Sequence, residues 1–196
     1  MIITLGRQHG SGGHDIARAL AKELGYACYD KEIVDHAAES SGVSKEIFDS
    51  YDERRVASYV VSSPNYFGIH AGFRLNMQVS AAQFEAIRNL ADKGNGIFVG
   101  RCADYVLRSR SDLVRVFIMA DEEFRMKTMM QRRNLSSEQA RKLIKEVDKD
   151  RSSYYKYYTD QTWGGTENYD LCLNSSRIGV DGAVQVIKAY LKAREE

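Results

Sequence analysis

A glycine-rich stretch near the N-terminus, Gly10-Ser11-Gly12-Gly13, follows a short apolar run and precedes a helical pattern. Successive backbone N–H groups in such a turn converge on an anion, and the positive end of the following helix adds to the attraction. Gly10, Gly12 and Gly13 allow close approach because they lack a Cβ, and Ser11 brings a hydroxyl. Residues 9–15, with His9, His14 and Asp15 at the flanks, form a candidate phosphate cradle. The competing use of these glycines is a tight strand–helix turn made for packing alone. The position directly after an apolar strand favours the phosphate reading.

The match to the G-x-x-x-x-G-K-[ST] pattern is incomplete. Placing Gly10-Ser11-Gly12 on its G-x-G puts Gly13 where the lysine belongs. Asp15 then stands where nucleoside monophosphate kinases often carry Ser or Thr. The lysine normally reaches the β- and γ-phosphates and the hydroxyl normally holds Mg²⁺. Arg7 and His14 are the cations at hand, and Asp15 is a carboxylate able to approach a metal through water.

A second position is Arg101, after the apolar run Gly96-Ile-Phe-Val-Gly100. Ligands of open α/β sheets bind beyond the C-terminal ends of the strands, so an arginine there faces a cleft. Its structural alternative is an ion pair with Asp104 or Asp30. Segment 125–156 is rich in cations: Arg125, Arg132, Arg133, Arg141, Lys142, Lys145, Lys149, Arg151 and Lys156. Arginine suits phosphoryl groups because its planar fork binds phosphate with two donors. With Glu138, Glu146, Asp148 and Asp150 interleaved, most of these cations fit a solvated helix face. The tyrosines Tyr154, Tyr155, Tyr157 and Tyr158, with Trp163 after them, fit packing of a helix end better than stacking on a base.

Other chemistries find little support. His9, His14, His36 and His70 share no metal spacing, so no protein-bound metal is expected. Gly10-Ser11-Gly12 lacks the G-x-S-x-G frame of a nucleophile elbow. Cys28, Cys102 and Cys172 are odd in number, without a C-x-x-C, and read as free thiols in a reducing cytoplasm.

The elements that must position these residues follow from periodicity. Met1 to Leu5 reads as a buried parallel strand. Ile16, Leu20 and Leu24 mark one face of a helix ended by Gly25. Tyr26 to Tyr29 reads as a second strand, followed by helical segments at about 31–40 and 44–57. Residues 58–73, with the single proline Pro64, read as irregular, and 76–92 as a longer helix. Gly96 to Gly100, Leu113 to Met119 and Tyr169 to Leu173 read as three more strands. Asp121 is a natural helix cap, and Ser136-Ser-Glu-Gln139 a capping box. Leu143, Ile144, Val147, Tyr154 and Tyr155 supply the apolar stripe of that helix. Val180, Ala183, Val184, Ile187 and Leu191 mark a terminal helix. Strands alternating with helices predict an α/β fold with a parallel sheet covered on both faces.

The chain has 196 residues, with 28 Lys+Arg against 27 Asp+Glu. That balance argues against a nucleic acid polymer as partner. No apolar run reaches the roughly 20 residues of a membrane span, and the first residues are too short and uncharged for a signal peptide. The composition suits one domain, and the oligomeric state is left open.

The motifs together resemble the cytidylate kinase-like family of P-loop proteins. They are Ile3 to Ala17, Tyr29-Asp-Lys-Glu-Ile33, Ile97-Phe-Val-Gly-Arg-Cys-Ala-Asp104, Asp150-Arg151 and Tyr169-Asp-Leu-Cys-Leu-Asn174. The resemblance covers nearly the whole chain. It implies a three-layer P-loop fold with a five-stranded parallel sheet. The implied core is 1–30, 94–124 and 168–196, with an acceptor-binding insertion at about 31–93 and a lid at about 125–160. It implies ATP, with Mg²⁺ bound to it, as donor and a nucleoside monophosphate, CMP or dCMP favoured, as acceptor.

By the same resemblance, Arg101 and Asp30 face the acceptor, and Arg88 falls where these kinases hold the acceptor phosphate. Arg151 resembles a lid arginine that reaches the transferred group. Cys102 replaces the family's aspartate, with Asp104 two residues on. Two other readings stand beside the kinase. One is a nucleotide- or phosphate-binding module without catalysis, and the other is a kinase of a different small metabolite.

Overall fold

The computed structural model describes residues 1–42, 44–51 and 66–195. Its centre is a sheet in the order β2-β3-β1-β4-β5, with every neighbouring pair parallel. The strands are β1 (Ile2–Arg7), β2 (Ala27–Tyr29), β3 (Gly96–Val99), β4 (Leu113–Met119) and β5 (Leu171–Asn174). The expected strands are all present, with ends shifted by a residue or two.

Side chains alternate across the sheet, as the two-residue period of a strand requires. Ile3, Leu5, Ile97, Val99, Val114, Val116 and Ile118 face one side. There they meet Ile16 and Leu20 of α1 (Gly13–Leu24) and Val184, Ile187 and Leu191 of α8 (Ser175–Glu195). Ile2, Phe98 and Leu113 face the other side. They pack with Ile33 and Val34 of α2 (Lys31–Ser41), Phe48 of α3 (Lys45–Tyr51), and Val79, Ile87 and Leu90 of α4 (Tyr66–Ala91). Each of these fully buried aliphatic side chains contributes about 1.5–3 kcal/mol relative to exposure. No helix among the described residues is long and apolar enough to cross a membrane.

The structure corrects the reading of α4. Residues 66–73 were expected to be irregular, yet the helix begins at Tyr66. Pro64 precedes the helix, where proline breaks no intrahelical bond, and the segment after it holds no second proline. The expected helix at 44–57 is described only as α3, because 52–57 lie outside the described residues, as do 58–65.

A short helix, α5 (Ala103–Val106), was not expected from periodicity, being only 4 residues long. The terminal helix also starts earlier than the apolar stripe suggested, at Ser175, with a break at Gly179 (φ 67°).

Between β4 and β5 the chain forms a helical pair, α6 (Glu122–Arg133) and α7 (Ser137–Thr159). Met126, Met129, Ala140 and Ile144 make its own small core. The Ser136 capping box is formed in both directions, with the Ser136 hydroxyl accepting the Gln139 N–H at 3.2 Å. The C-terminal end of α7 packs Tyr154 and Tyr155 against Cys102, Phe84 and Trp163, as expected of a structural aromatic cluster.

Candidate functional site

The loop between β1 and α1 sits at the C-terminal edge of the sheet. Gly10 (φ 81°) and Gly12 (φ 76°) hold left-handed conformations that other residues adopt only at a cost. The Ser11 hydroxyl donates to the Gln8 carbonyl at 2.8 Å, so it fixes the turn from inside. The Ser175 hydroxyl at the start of α8 lies 2.6 Å from the Ser11 carbonyl and donates to it. The Gln8 side chain accepts the Ala120 N–H at 3.0 Å. The turn is thus tied to α8 and to the end of β4 before any ligand is considered.

Around this loop lies a cleft of about 290 Å³, lined by Arg7, His9, Gly10, Gly12, Gly13, His14, Asp30, Arg132, Arg133 and Arg151 among others. Arg132 and Arg133, read from sequence as a solvated face, are brought to this cleft by α6. Their helical spacing is the same on either face, so only packing assigned them. Arg132 also pairs with Asp15, whose carboxylate is thereby engaged at the first turn of α1.

His9 shows the electrostatic character of the place. Burial first, then the nearby charges of Arg151, Arg133, Arg7 and Arg125, push its imidazole down from 6.5 to about 4. Its Nε2 is buried without a hydrogen-bond partner among the described residues. The four guanidinium groups around the imidazole make this a place that favours negative charge.

The α6–α7 pair docks on the same loop. Asp148 accepts the His9 backbone N–H at 2.7 Å and pairs with Arg125. Arg125 lies so close to the loop that a Cβ at Gly10 would stand 2.9 Å from its carbonyl oxygen. Arg151 donates to the Arg7 carbonyl at 3.2 Å. Sequence reasoning missed Asp148 and Arg125, because their roles need the docking of two remote segments.

Beyond β3 the backbone takes three successive left-handed residues: Gly100 (φ 75°), Arg101 (φ 51°) and Cys102 (φ 56°). Each non-glycine member stores strain of about 1–3 kcal/mol, which persists only where the surroundings fix it. The turn directs Arg101 inward, leaving it 3% exposed. Its guanidinium donates to Asp30 Oδ1 at 2.9 Å and to the Val99 carbonyl at 3.3 Å. His14 Nδ1 meets the other Asp30 oxygen at 2.9 Å. Asp30, at the end of β2, therefore joins the glycine loop to the β3 turn.

A second, much smaller cavity lies against this turn, lined by Gly6, Arg7, Gly100, Arg101, Cys102, Asp104, Arg151, Tyr155, Trp163 and Tyr169 among others. Asp104 is buried and accepts the Tyr155 hydroxyl at 2.7 Å. Burial raises its carboxyl above the usual range, and the hydrogen bond from Tyr155 only partly offsets that.

The geometry thus assembles Asp30, Arg101, Arg151, His9, His14 and Gly10 to Gly13 from four separate stretches. Asp104 lies at the floor of the second cavity. Asp15 flanks the loop through Arg132. Arg88 is exposed on α4 and lines neither cavity. Among the described residues, no cluster of three His, Cys, Asp or Glu side chains could hold a metal ion. Asp30 is the carboxylate among the cleft-lining residues, and it is held by His14 and Arg101. That donor set fits a magnesium ion carried by nucleotide phosphates better than a preformed cage.

Comparison with known proteins agrees with this fold. A sequence model of the cytidylate kinase-like family matches residues 2–177. A cytidylate kinase of Methanopyrus kandleri is 28% identical over 97% of this chain and 93% of its own length. A crystal structure of an uncharacterized protein from Eubacterium ventriosum superposes with a TM-score of 0.75 and 28% identity, covering 98% of each chain. Shikimate kinase from Bacteroides thetaiotaomicron shares the fold, with a TM-score of 0.57 at 14% identity and 98% coverage of both.

Proposed function

The chain belongs to the cytidylate kinase-like family, and from that premise we propose that it transfers the γ-phosphoryl group of ATP to a nucleoside monophosphate, with CMP or dCMP as acceptor. The observation that carries this reading is the meeting of two cavities at Arg151, which lines both. One cavity surrounds the glycine loop and suits the donor's phosphates. The other lies against Arg101 and suits the acceptor.

Phosphoryl transfer asks the protein for positioning and positive charge rather than covalent chemistry. An acceptor phosphate oxygen attacks the γ-phosphorus as the bond to the β–γ bridging oxygen breaks, and ADP leaves. The N–H groups of Gly10, Gly12 and Gly13 and the N-terminus of α1 hold the donor's polyphosphate. Arg101, kept rigid by Asp30 and the β3 turn, anchors the acceptor. Arg151 neutralises charge that builds on the transferred group. Magnesium bound with ATP would supply further neutralisation of the phosphates, with Asp30 lining the cleft and Asp15 flanking the loop as carboxylates that could approach it through water. The α6–α7 pair acts as the lid and α2–α4 as the acceptor-side insertion.

The test is ADP release from Mg-ATP across nucleoside monophosphates and small hydroxylated metabolites. Acceptor-dependent ADP with CMP or dCMP is the expected result. A different acceptor would correct the substrate and keep the chemistry. ATP binding without ADP from any acceptor would leave a module that binds without catalysing. In the active enzyme, Arg101→Ala is expected to lower turnover by about 10²–10³-fold, with the KM for ATP little changed. Arg88→Ala is expected to alter turnover far less, because Arg88 stands outside both cavities.

A further inference from the structure

The phosphate loop lacks its lysine, and the packing around Gly13 shows why. Gly13 does not share the positive φ of Gly10 and Gly12, so its backbone conformation is open to any residue. Space is what excludes a side chain. A Cβ on Gly13 would lie 2.6 Å from the Arg7 Cβ and 3.1 Å from the Arg7 Cγ. The Arg7 stem therefore lies across the position from which a lysine would project. A glycine at 13 and an arginine at 7 are two halves of one arrangement.

Arg7 is also placed for the missing function. It closes β1, and its backbone pairs with Ile118 of β4, so its origin is the rigid sheet. Arg7 and Arg151 are the residues that line both cavities, and Arg151 donates to the Arg7 carbonyl.

We propose that Arg7, its stem seated on Gly13, replaces the loop lysine and binds the terminal phosphates of the donor. Arginine makes the exchange chemically sound, since its longer side chain starts one strand end earlier and its fork grips two phosphate oxygens at once. The assignment rests on the kinase reading for its donor, but its test separates the two.

The experiment measures calorimetric binding of tripolyphosphate and of Mg-ATP to the full chain, alongside unfolding temperature. Arg7→Met keeps the stem and removes the charge. It should weaken both affinities roughly tenfold to a hundredfold, the loss of a charged hydrogen-bonding group. Arg7→Gln repeats the measurement with a polar stem. Gly13→Lys alone should unfold at lower temperature, because the new side chain meets the Arg7 stem. The pair Arg7→Gly with Gly13→Lys, which removes both the Cβ and the Cγ that the new side chain would meet, should recover stability and most of the affinity. Wild-type affinity in Arg7→Met, or a folded double variant that binds no better than Arg7→Met, would overturn the assignment. If the wild type binds tripolyphosphate yet forms no ADP with any acceptor, phosphoryl transfer falls while the affinities still decide the role of Arg7.

Discussion

Single residues in this protein answer for charge more than for shape. His9 is the clearest case, because its imidazole is held at about 4 by burial and by surrounding arginines. The unfolded chain takes up a proton near 6.5 that the folded chain refuses until about 4. The stability linked to neutral His9 is therefore complete above pH 6.5 and is lost as the pH falls towards 4. Unfolding free energy should drop less steeply over that interval in His9→Asn than in the wild type. A bound polyphosphate reverses the local field and favours the imidazolium. An NMR titration of the His9 ring should then show its midpoint rising when tripolyphosphate is added.

Asp104 teaches the complementary point. From sequence it was a carboxylate two residues beyond Cys102 that could replace the one lost there. The fold buries it under Tyr155 and favours its neutral form. At the same scale Ser11, chosen for its hydroxyl, uses that hydroxyl to close the turn.

At the scale of elements, the important contact is between α4 and α7, which reach the site from opposite sides of the chain's order. Tyr158 of α7 donates to Asn76 Oδ1 at 2.8 Å and accepts from the Ser80 hydroxyl at 2.8 Å, both on α4. Asn76 and Ser80 are each 2% exposed. Tyr154 adds a longer bond to Gln83 at 3.4 Å. These groups were desolvated when the helices met, so losing one partner leaves others unsatisfied. Tyr158→Phe should cost about 1–3 kcal/mol, read from urea unfolding. It should also raise the acceptor KM more than the ATP KM, because the proposed function assigns α4 to the acceptor side.

The helices were legible to different degrees for physical reasons. The Ser136 box and the α1 stripe are local patterns, and both appear as read. The start of α4 was not legible, because Gly68 and Gly72 weaken its local helical preference while the long helix as a whole is helical from Tyr66.

The whole molecule brings four remote stretches to one edge of the sheet. Such a site is a linked equilibrium: any donor that binds only the folded chain stabilises it. At a hundredfold excess over Kd the gain is about 2.7 kcal/mol, or a rise of roughly 5–10 °C in unfolding temperature for a chain of this size. Mg-ATP should produce that rise in the wild type. Arg7→Met should show a smaller one at equal nucleotide concentration, and an equal rise in both would remove Arg7 from the donor site.

The amino-acid sequence by itself determined the alternation of strands and helices, the parallel sheet, and the placement of Gly10 to Gly13 and Arg101 at strand ends. These features depend on local propensity and on two short periodicities, which are carried by neighbouring residues. Tertiary structure alone decided which cations line the cleft. Arg132 and Arg133 belong to the cleft, Arg125 is engaged by Asp148, and Arg88 stands outside. It also decided that Gly13 is glycine for want of space beneath Arg7. Those outcomes depend on pairs such as His9 with Asp148, or Asp30 with Arg101, that lie 139 and 71 residues apart. No local pattern encodes a separation of that length, because the partners meet only when the sheet and the helices close upon one another.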